Sequence, residues 1–184
     1  MAAFVVLLVL LGGFALALVG IYNGLVTLRN QVRNAWQQIG VQLKRRHDLI
    51  PNLVEVVKDY MGYEQETLEK VIRARNQALS ATGVQGTAAA EGALTGALRS
   101  LFAVVEAYPQ LKANENVSRL QEELTSTENR IAFARQFYND MVMRYNTRLQ
   151  VIPSNIIASL FNFQEEAYFE IPADERVPVK VDLR

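Results

Sequence analysis

The stretch VSRLQEELTSTENRIAFARQFYNDMVMRYNTRLQVI, residues 117–152, carries the most regular pattern in the chain. Apolar or small side chains return in it every three or four positions, which is the spacing of one face of a heptad-repeat helix. Charged residues fall between them, as on a solvated face. The stripe consists of Val117, Leu120, Leu124, Thr127, Ile131, Ala134, Tyr138, Met141, Tyr145 and Ile152, with Leu149 one residue off the step. This pattern predicts one long amphipathic helix.

Three earlier segments repeat the same spacing and are joined by short connections. Four such helices favour an all-α fold, an antiparallel four-helix bundle. The first stripe is Ile21, Leu25, Leu28, Val32, Ala35, Ile39 and Leu43, the second is Ile50, Leu53, Val57, Tyr60, Leu68, Val71 and Ala78, and the third is Leu94, Leu98, Leu101, Val105 and Tyr108.

Local signals predict where the later elements begin and end. Pro109 ends the third helix, Asn114 or Asn116 can cap the fourth, and Ser154 opens a short helix after Pro153. Residues 166–184 combine prolines with alternating valines, which predicts an extended tail along the bundle or a strand that pairs with another copy. We favour the tail, because a lone strand has no partner in this chain.

The N-terminal stretch MAAFVVLLVLLGGFALALVGI is apolar and uncharged. About twenty residues at ~1.5 Å each span a hydrocarbon core of ~30 Å. A cleaved signal peptide is the alternative, but the stretch lacks a basic start and is longer than a typical signal core. We therefore predict a transmembrane anchor over residues 1–22, continuous with the first bundle helix, a helical domain over 23–165 and the tail over 166–184.

Flanking residues predict the orientation of the anchor. Tyr22 falls at the expected membrane interface, and Arg29 and Arg33 follow it, whereas no cation precedes the span. The positive-inside bias places the helical domain in the cytoplasm. Because two nearby cations are a modest signal, a periplasmic domain is the alternative.

The charges are segregated along the chain, although the formal net charge is zero. The five cations from Arg29 to Arg46 precede every acid, and all 19 acidic residues follow, against the remaining 14 of the 19 basic residues. An acidic body does not bind nucleic acid well, since phosphates need a positive face. The absence of cysteine excludes disulfides and thiol nucleophiles.

The segment KRRHD, followed by Pro51, holds the single histidine of the chain. Asp48 is a good N-cap, and a proline suits the first turn of a helix. This predicts a corner, where the first helix ends or kinks near residues 46–49, or a patch for a partner. The candidate residues are Lys44, Arg45, Arg46, His47, Asp48 and Pro51.

A catalytic role for His47 is the weaker hypothesis. Adjacent side chains on a helix point about 100° apart, so His47 and Asp48 do not pair easily. The sequence has no GxSxG motif, no phosphate-binding loop, no HExxH motif and no Glu-x-x-His pair. We therefore predict no catalytic residues, no metal site and no cofactor, with a hydrolase or metal enzyme centred on His47 as a remote alternative.

Two Tyr-Asn pairs lie seven residues apart on the fourth helix and so share a face. They are either core residues with polar tips or a seam that contacts another copy or a partner. Three apolar residues after the helix could cover the bundle end or dock a partner. These candidates are Tyr138, Asn139, Tyr145, Asn146, Leu160, Phe161 and Phe163.

Long motifs such as QLKRRHDLIPNLVE, YPQLKANEN and YNTRLQVIPSNIIASLFNF resemble the LemA family of bacterial membrane proteins. The resemblance covers nearly the whole chain after the anchor, and it implies a membrane helix carrying a cytoplasmic helical bundle in the bacterial inner membrane. Gly40 and Asn162 depart from the usual residues. The family implies no activity; its loose links to membrane-protease quality control and to magnetosome membranes suit a scaffold.

The resulting expectation is a non-enzymatic, self-associating scaffold or adaptor on the membrane. Its expected partners are the lipid bilayer, further copies of the chain and membrane proteins such as a membrane protease. A signalling or sensor module that transmits through the rigid first helix is the alternative.

Overall fold

A computed structural model describes residues 1–60 and 64–170. Within these ranges every regular element is a helix and none is a strand. The predicted all-α class is thereby confirmed. The helices are α1 Ala2–Lys58, α2 Gln65–Ser80, α3 Gly83–Ala107, α4 Pro109–Lys112, α5 Glu115–Gln150 and α6 Ser154–Leu160.

Helix α1 runs without interruption from the apolar N-terminus into the folded body. The prediction that the apolar N-terminal segment continues into the first bundle stripe as one helix is confirmed. The predicted end of the first helix near residues 46–49 is wrong, because α1 passes through Pro51 and ends only at Lys58. Consequently Asp48 lies inside a helix and does not cap one.

Two helices of the described chain are long and apolar enough to cross a membrane, α1 and α3. The apolar window of α1 has no buried part, whereas a third of the α3 window is buried. Several α3 side chains form part of a hydrophobic core, including Leu94, Leu98 and Leu101. Both helices pass by length and composition, but the apolar start of α1 is exposed, so it is the stronger candidate for a membrane span.

The chain divides into two compact units. The first comprises residues 1–38 and 136–167. In it the chain from α5 through α6 runs antiparallel to α1, since Trp36 packs against Tyr138 of α5 at 5.5 Å between ring centroids and Tyr22 packs against Phe161 after α6 at 4.8 Å. Its buried apolar residues are Leu25, Val32, Ala35, Tyr138, Met141, Val142, Tyr145, Leu149, Ile157, Ala158 and Phe163.

Among the described residues, the second unit comprises 39–60, 64–135 and 168–170. Its core joins residues of α1, α2, α3, α4 and α5, and the predicted stripes supply most of them. Its buried members are Ile50, Leu53, Val57, Leu68, Val71, Ala74, Ala78, Leu94, Leu98, Leu101, Val105, Leu111, Val117 and Leu124.

The helix ends show which local signals were correct. The side chain of Asn114 accepts hydrogen bonds from the N–H groups of Asn116 and Val117, which identifies it as the N-cap of α5. Ser154 opens α6 as predicted. In contrast, α5 ends at Gln150, so the off-step Leu149 is buried and Ile152 is exposed.

The C-terminus of α6 explains one departure from the family pattern. Asn162 has a positive φ of 53°, a region where asparagine is the best tolerated residue after glycine. Phe163 N–H donates to the Ala158 carbonyl and Asn162 N–H to the Ser159 carbonyl, which is a Schellman motif. Residues 164–170 follow without helix, and the rest of the predicted tail, 171–184, lies outside the described residues.

Candidate functional site

The second unit contains a buried ionic cluster built around Arg46, His47 and Glu91. These side chains are 3%, 5% and 2% exposed, in contrast to the exposed Lys44 and Asp48 beside them. Arg46 and His47 lie on the core side of α1 because they fall three and four residues after the buried Leu43. The basic segment is thus divided between core and solvent.

Glu91 of α3 binds both residues of α1, one with each carboxylate oxygen. Arg46 Nη1 lies 3.0 Å from Oε2, and His47 Nε2 lies 2.6 Å from Oε1. A carboxylate that faces a guanidinium has no proton to donate, so His47 Nε2 must carry the hydrogen. Both oxygens of Glu91 are therefore occupied.

The second guanidinium nitrogen of Arg46 contacts α3 again and also reaches α5. It donates to Thr95 Oγ1 at 2.8 Å and lies 3.0 Å from Glu128 Oε2 on α5. The approach to Glu128 is an ion pair without hydrogen-bond geometry. Arg46 thus joins α1, α3 and α5 by charge-assisted contacts, which are the stronger kind of hydrogen bond and ion pair.

The interior Pro51 is accommodated by a side chain from α2. A proline inside a helix has no N–H for the carbonyl four residues earlier, here that of His47. Arg75 Nε donates to that carbonyl at 2.8 Å. The hydrogen bond that Pro51 removes is therefore replaced by a tertiary one, and α1 continues past the proline.

The remaining residues of the basic segment make surface contacts. Lys44 Nζ pairs with Asp48 Oδ2 at 2.6 Å, and Arg45 lies 3.7 Å from Glu123. The hydrogen bond from Lys44 lowers the pKa of Asp48 below its usual value. Exposed pairs of this kind contribute little to stability.

A cleft of about 420 Å³ opens beside the cluster. Arg46, Thr95 and Glu128 are among its polar lining residues, and apolar side chains such as Phe102 and Leu124 complete the wall. Its described lining residues include no serine, and its hydroxyl groups belong to two threonines. Among the described residues no three His, Asp or Glu side chains are grouped to hold a metal ion.

The predicted Tyr-Asn seam lies in the first unit and binds the segment after α6. Tyr138 O–H donates to the Ala167 carbonyl at 2.8 Å. Asn146 donates to the Glu166 carbonyl at 2.9 Å and accepts the Glu166 N–H at 3.0 Å. Burial, and then the nearby Glu166 carboxylate, raise the pKa of Tyr138 to about 12.

The other seam candidates divide between core and surface. Burial raises the pKa of Tyr145, which is packed inside, and Asn139 is half-buried. Phe163 is buried under the Arg29 guanidinium, 4.9 Å from its ring centroid, whereas Leu160 and Phe161 are exposed. Tyr138, Tyr145, Asn146 and Phe163 are thus engaged within the chain.

Two members of the ionic cluster were missed at the sequence level, Glu91 and Glu128. Each was detectable as an acid on an apolar stripe, because Glu91 precedes Leu94 by three residues and Glu128 precedes Ile131 by three. Similarly, Arg46 continues the stripe from Leu43 toward Ile50, and the expected corner obscured that spacing.

These features define a class: an all-helical protein whose first helix has a long exposed apolar start and whose body holds a buried ionic cluster. The family model of the LemA family matches residues 35–183, so the chain belongs to the LemA family.

The individual relatives share less than a third of their residues with this chain. The chain is 28% identical to Protein LemA of Metamycoplasma hominis over 92% of this chain and 78% of that protein. It is 24% identical to Magnetosome protein MamQ 2 of Paramagnetospirillum magneticum over 81% of this chain and 64% of that protein. Magnetosome protein MamQ of Magnetospirillum gryphiswaldense is also 24% identical, over 84% and 66%.

Proposed function

We propose that this protein is a non-enzymatic, membrane-anchored helical scaffold. Its N-terminal span crosses the cytoplasmic membrane of a bacterium and holds the helical body at the cytoplasmic face. The observation that carries the proposal is the uninterrupted helix α1, which joins an exposed apolar segment to residues of a folded core. Such a joint holds the body close to the bilayer.

The length of the apolar segment supports the anchor. Residues 2–21 rise about 30 Å in a helix, which matches the hydrocarbon core of a bilayer. Arg29 and Arg33 lie within about three turns of Tyr22, and the positive-inside bias therefore favours a cytoplasmic body.

The chemistry of the ionic cluster supports a structural role over catalysis. General acid–base catalysis needs a group that can reach a substrate proton. Glu91 has both oxygens bound, His47 Nε2 is directed at Glu91, and the two residues are only 2% and 5% exposed, so neither side chain is placed to reach a substrate.

As part of the scaffold proposal, α1, α2, α3 and α5 form an antiparallel four-helix bundle, and copies of the chain self-associate. Contacts of the Arg46 cluster with α3 and α5, and of Arg75 on α2 with α1, are consistent with four helices around one core. Repeated copies would present several equivalent surfaces to membrane-protein partners.

The mass of the detergent-solubilised full chain tests the scaffold. We expect multi-angle light scattering to give a defined multiple of the 20.7 kDa chain after subtraction of the detergent. A strictly monomeric particle that also fails to retain any membrane protein in cross-linking would contradict the proposal. Because the chain has no cysteine, single cysteines at Leu11 and Lys112 can report the anchor and the side of the body.

A signalling module is the second candidate, and the continuity of α1 across Tyr22 favours it. A rigid helix can transmit rotation or displacement, whereas a flexible linker cannot. Inserting a Gly-Ser segment after Gln31 should abolish the output of a signalling module. A scaffold would keep its self-association in the same variant.

A further inference from the structure

The short helix α6 and the residues on either side of it carry an exposed apolar face in the first unit. Ile156 and Leu160 are four residues apart on α6 and so share one side, with Ile152 just before the helix and Phe161 just after it. All four are exposed, and Leu160 is 73% exposed. Their interior neighbours Ile157 and Ala158 are buried, so the segment already has a packed inner side.

The same segment contains no charge. Residues 151–163 read VIPSNIIASLFNF, with Arg148 before them and Glu165 after them. A water-facing helical turn normally carries charged or strongly polar side chains on its outer side. An uncharged segment with large apolar groups outside is typical of a surface that contacts lipid or protein.

The contacts of this face with α1 indicate that it meets lipid and not protein. Phe161 packs on the Tyr22 ring at 4.8 Å between centroids, and Phe163 lies 5.8 Å from the same ring. Tyr22 directly follows the apolar span. The polar layer of a bilayer on each side is roughly 5–8 Å thick, so Phe161 lies at the depth of that layer wherever Tyr22 is interfacial.

The neighbouring charges match a headgroup region. Arg29 lies about two turns after Tyr22 on α1, with its guanidinium over the Phe163 ring at 4.9 Å. Its Nε is buried without a hydrogen-bond partner among the described residues. The exposed Arg148 lies in the last turn of α5, before the apolar face. Cations above an apolar, aromatic-bearing face are the arrangement of an interfacial membrane helix.

We propose that this face, formed by Ile152, Ile156, Leu160 and Phe161, is a second membrane contact that lies in the lipid interface beside the anchor. The inference rests on the proposed function, because it needs the N-terminal span to be in a bilayer. The lipid-facing segment fixes the first unit against the membrane surface, so that unit is held at two points and cannot swing about a single helix.

Spin labels on single cysteines in the full chain test the contact. The label is placed at Leu160 and, in a second variant, at Ile156, with the protein in nanodiscs of equal parts phosphatidylcholine and phosphatidylglycerol. Leu11 within the span is the lipid control, and the exposed Val41, about 20 residues beyond Tyr22 on the same helix, is the water control.

We expect labels at Leu160 and Ile156 to collide with oxygen more often than with a water-soluble nickel chelate, as at Leu11, and the ratio to reverse at Val41. Labels at Leu160 and Ile156 that behave like Val41 would overturn the second contact and leave the anchor intact. Protection from both reagents would also overturn it, because protein would then cover the face. A water-like label at Leu11 would instead overturn the anchor, and the second contact with it.

Discussion

The two units of the chain stabilise buried polar groups by different chemistry. The second unit buries charges, with Arg46, His47 and Glu91 joined across helices. The first unit buries neutral groups, with Tyr138 and Asn146 bound to backbone atoms of the segment after α6. Charges in a low-dielectric core are costly unless every partner is present, whereas neutral groups leave a smaller penalty. We therefore expect the units to respond differently to loss of one partner.

Glu91→Ala should have the largest effect. It leaves Arg46 and His47 buried without the shared carboxylate, and breaking a buried ionic cluster costs about 3–5 kcal/mol. For a chain of this size that lowers the midpoint of thermal unfolding by roughly 6–20 °C, measured by circular dichroism in detergent. Lys44→Ala is the matched control on the exposed side of the same segment, and its midpoint should stay unchanged. Equal midpoints in the two variants would refute the cluster's stabilising role.

Asn146→Ala should have a smaller effect on the first unit. The variant leaves the backbone N–H and carbonyl of Glu166 without their side-chain partner, at a cost of about 1–3 kcal/mol. Hydrogen exchange should show faster exchange at the Glu166 amide. Gln150→Ala, which removes an exposed hydrogen bond to Glu165, is the control. If the Glu166 amide exchanged equally in both variants, the hydrogen bonds between Asn146 and Glu166 would contribute nothing to stability.

Tyr138→Phe tests how the stability of the first unit depends on pH. Because the folded pKa of about 12 lies above the unfolded value of ~10, the contribution of this hydroxyl is complete below pH 10 and is lost as the pH rises toward 12. The parent chain should therefore lose stability in that window by an amount that the variant does not. Urea unfolding at pH 9 and pH 11 measures the difference, with the exposed Tyr168→Phe as control. Parallel losses in the parent and in Tyr138→Phe would count against a buried hydroxyl.

Gly40→Ala should give the smallest change, and a favourable one. A Cβ at Gly40 meets nothing within 4 Å, and the residue is exposed inside α1. Alanine in a helix interior is favoured over glycine by about 0.8–1.0 kcal/mol. A rise of a few degrees in the unfolding midpoint is expected, and a fall would show that the glycine serves a contact with another molecule.

Much of the fold was predictable because it depends on local periodicity. Leu25, Val32 and Ile39 are buried at the expected helical spacing, and Asn114 caps α5 as a side chain that accepts the orphan N–H groups. The end of the first helix near residues 46–49 was predicted wrongly for a physical reason. An interior proline leaves the carbonyl four residues earlier without its usual donor, and the replacement donor, Arg75, is 28 residues away from His47.

The candidate site was predictable only in part. Lys44 to Asp48 was recognised as unusual, but its division into two buried and three exposed residues follows from the continuation of α1, whereas the proline predicted that the helix ends there. Tyr138 and Asn146 were grouped in one seam, and both bind the segment after α6. Their partners, the backbone atoms of Glu166 and Ala167, could not be identified from side-chain pattern, because every residue carries the same backbone groups.

The sequence by itself determined the helices, the apolar span and the family, since each depends on side chains at neighbouring or regularly spaced positions. Only the tertiary structure decided that Arg46 and His47 meet Glu91, which is 45 and 44 residues away. Pairings over such separations depend on how helices pack, and helical periodicity shows only which face a residue occupies. The buried charges of this chain are therefore a property of its packing.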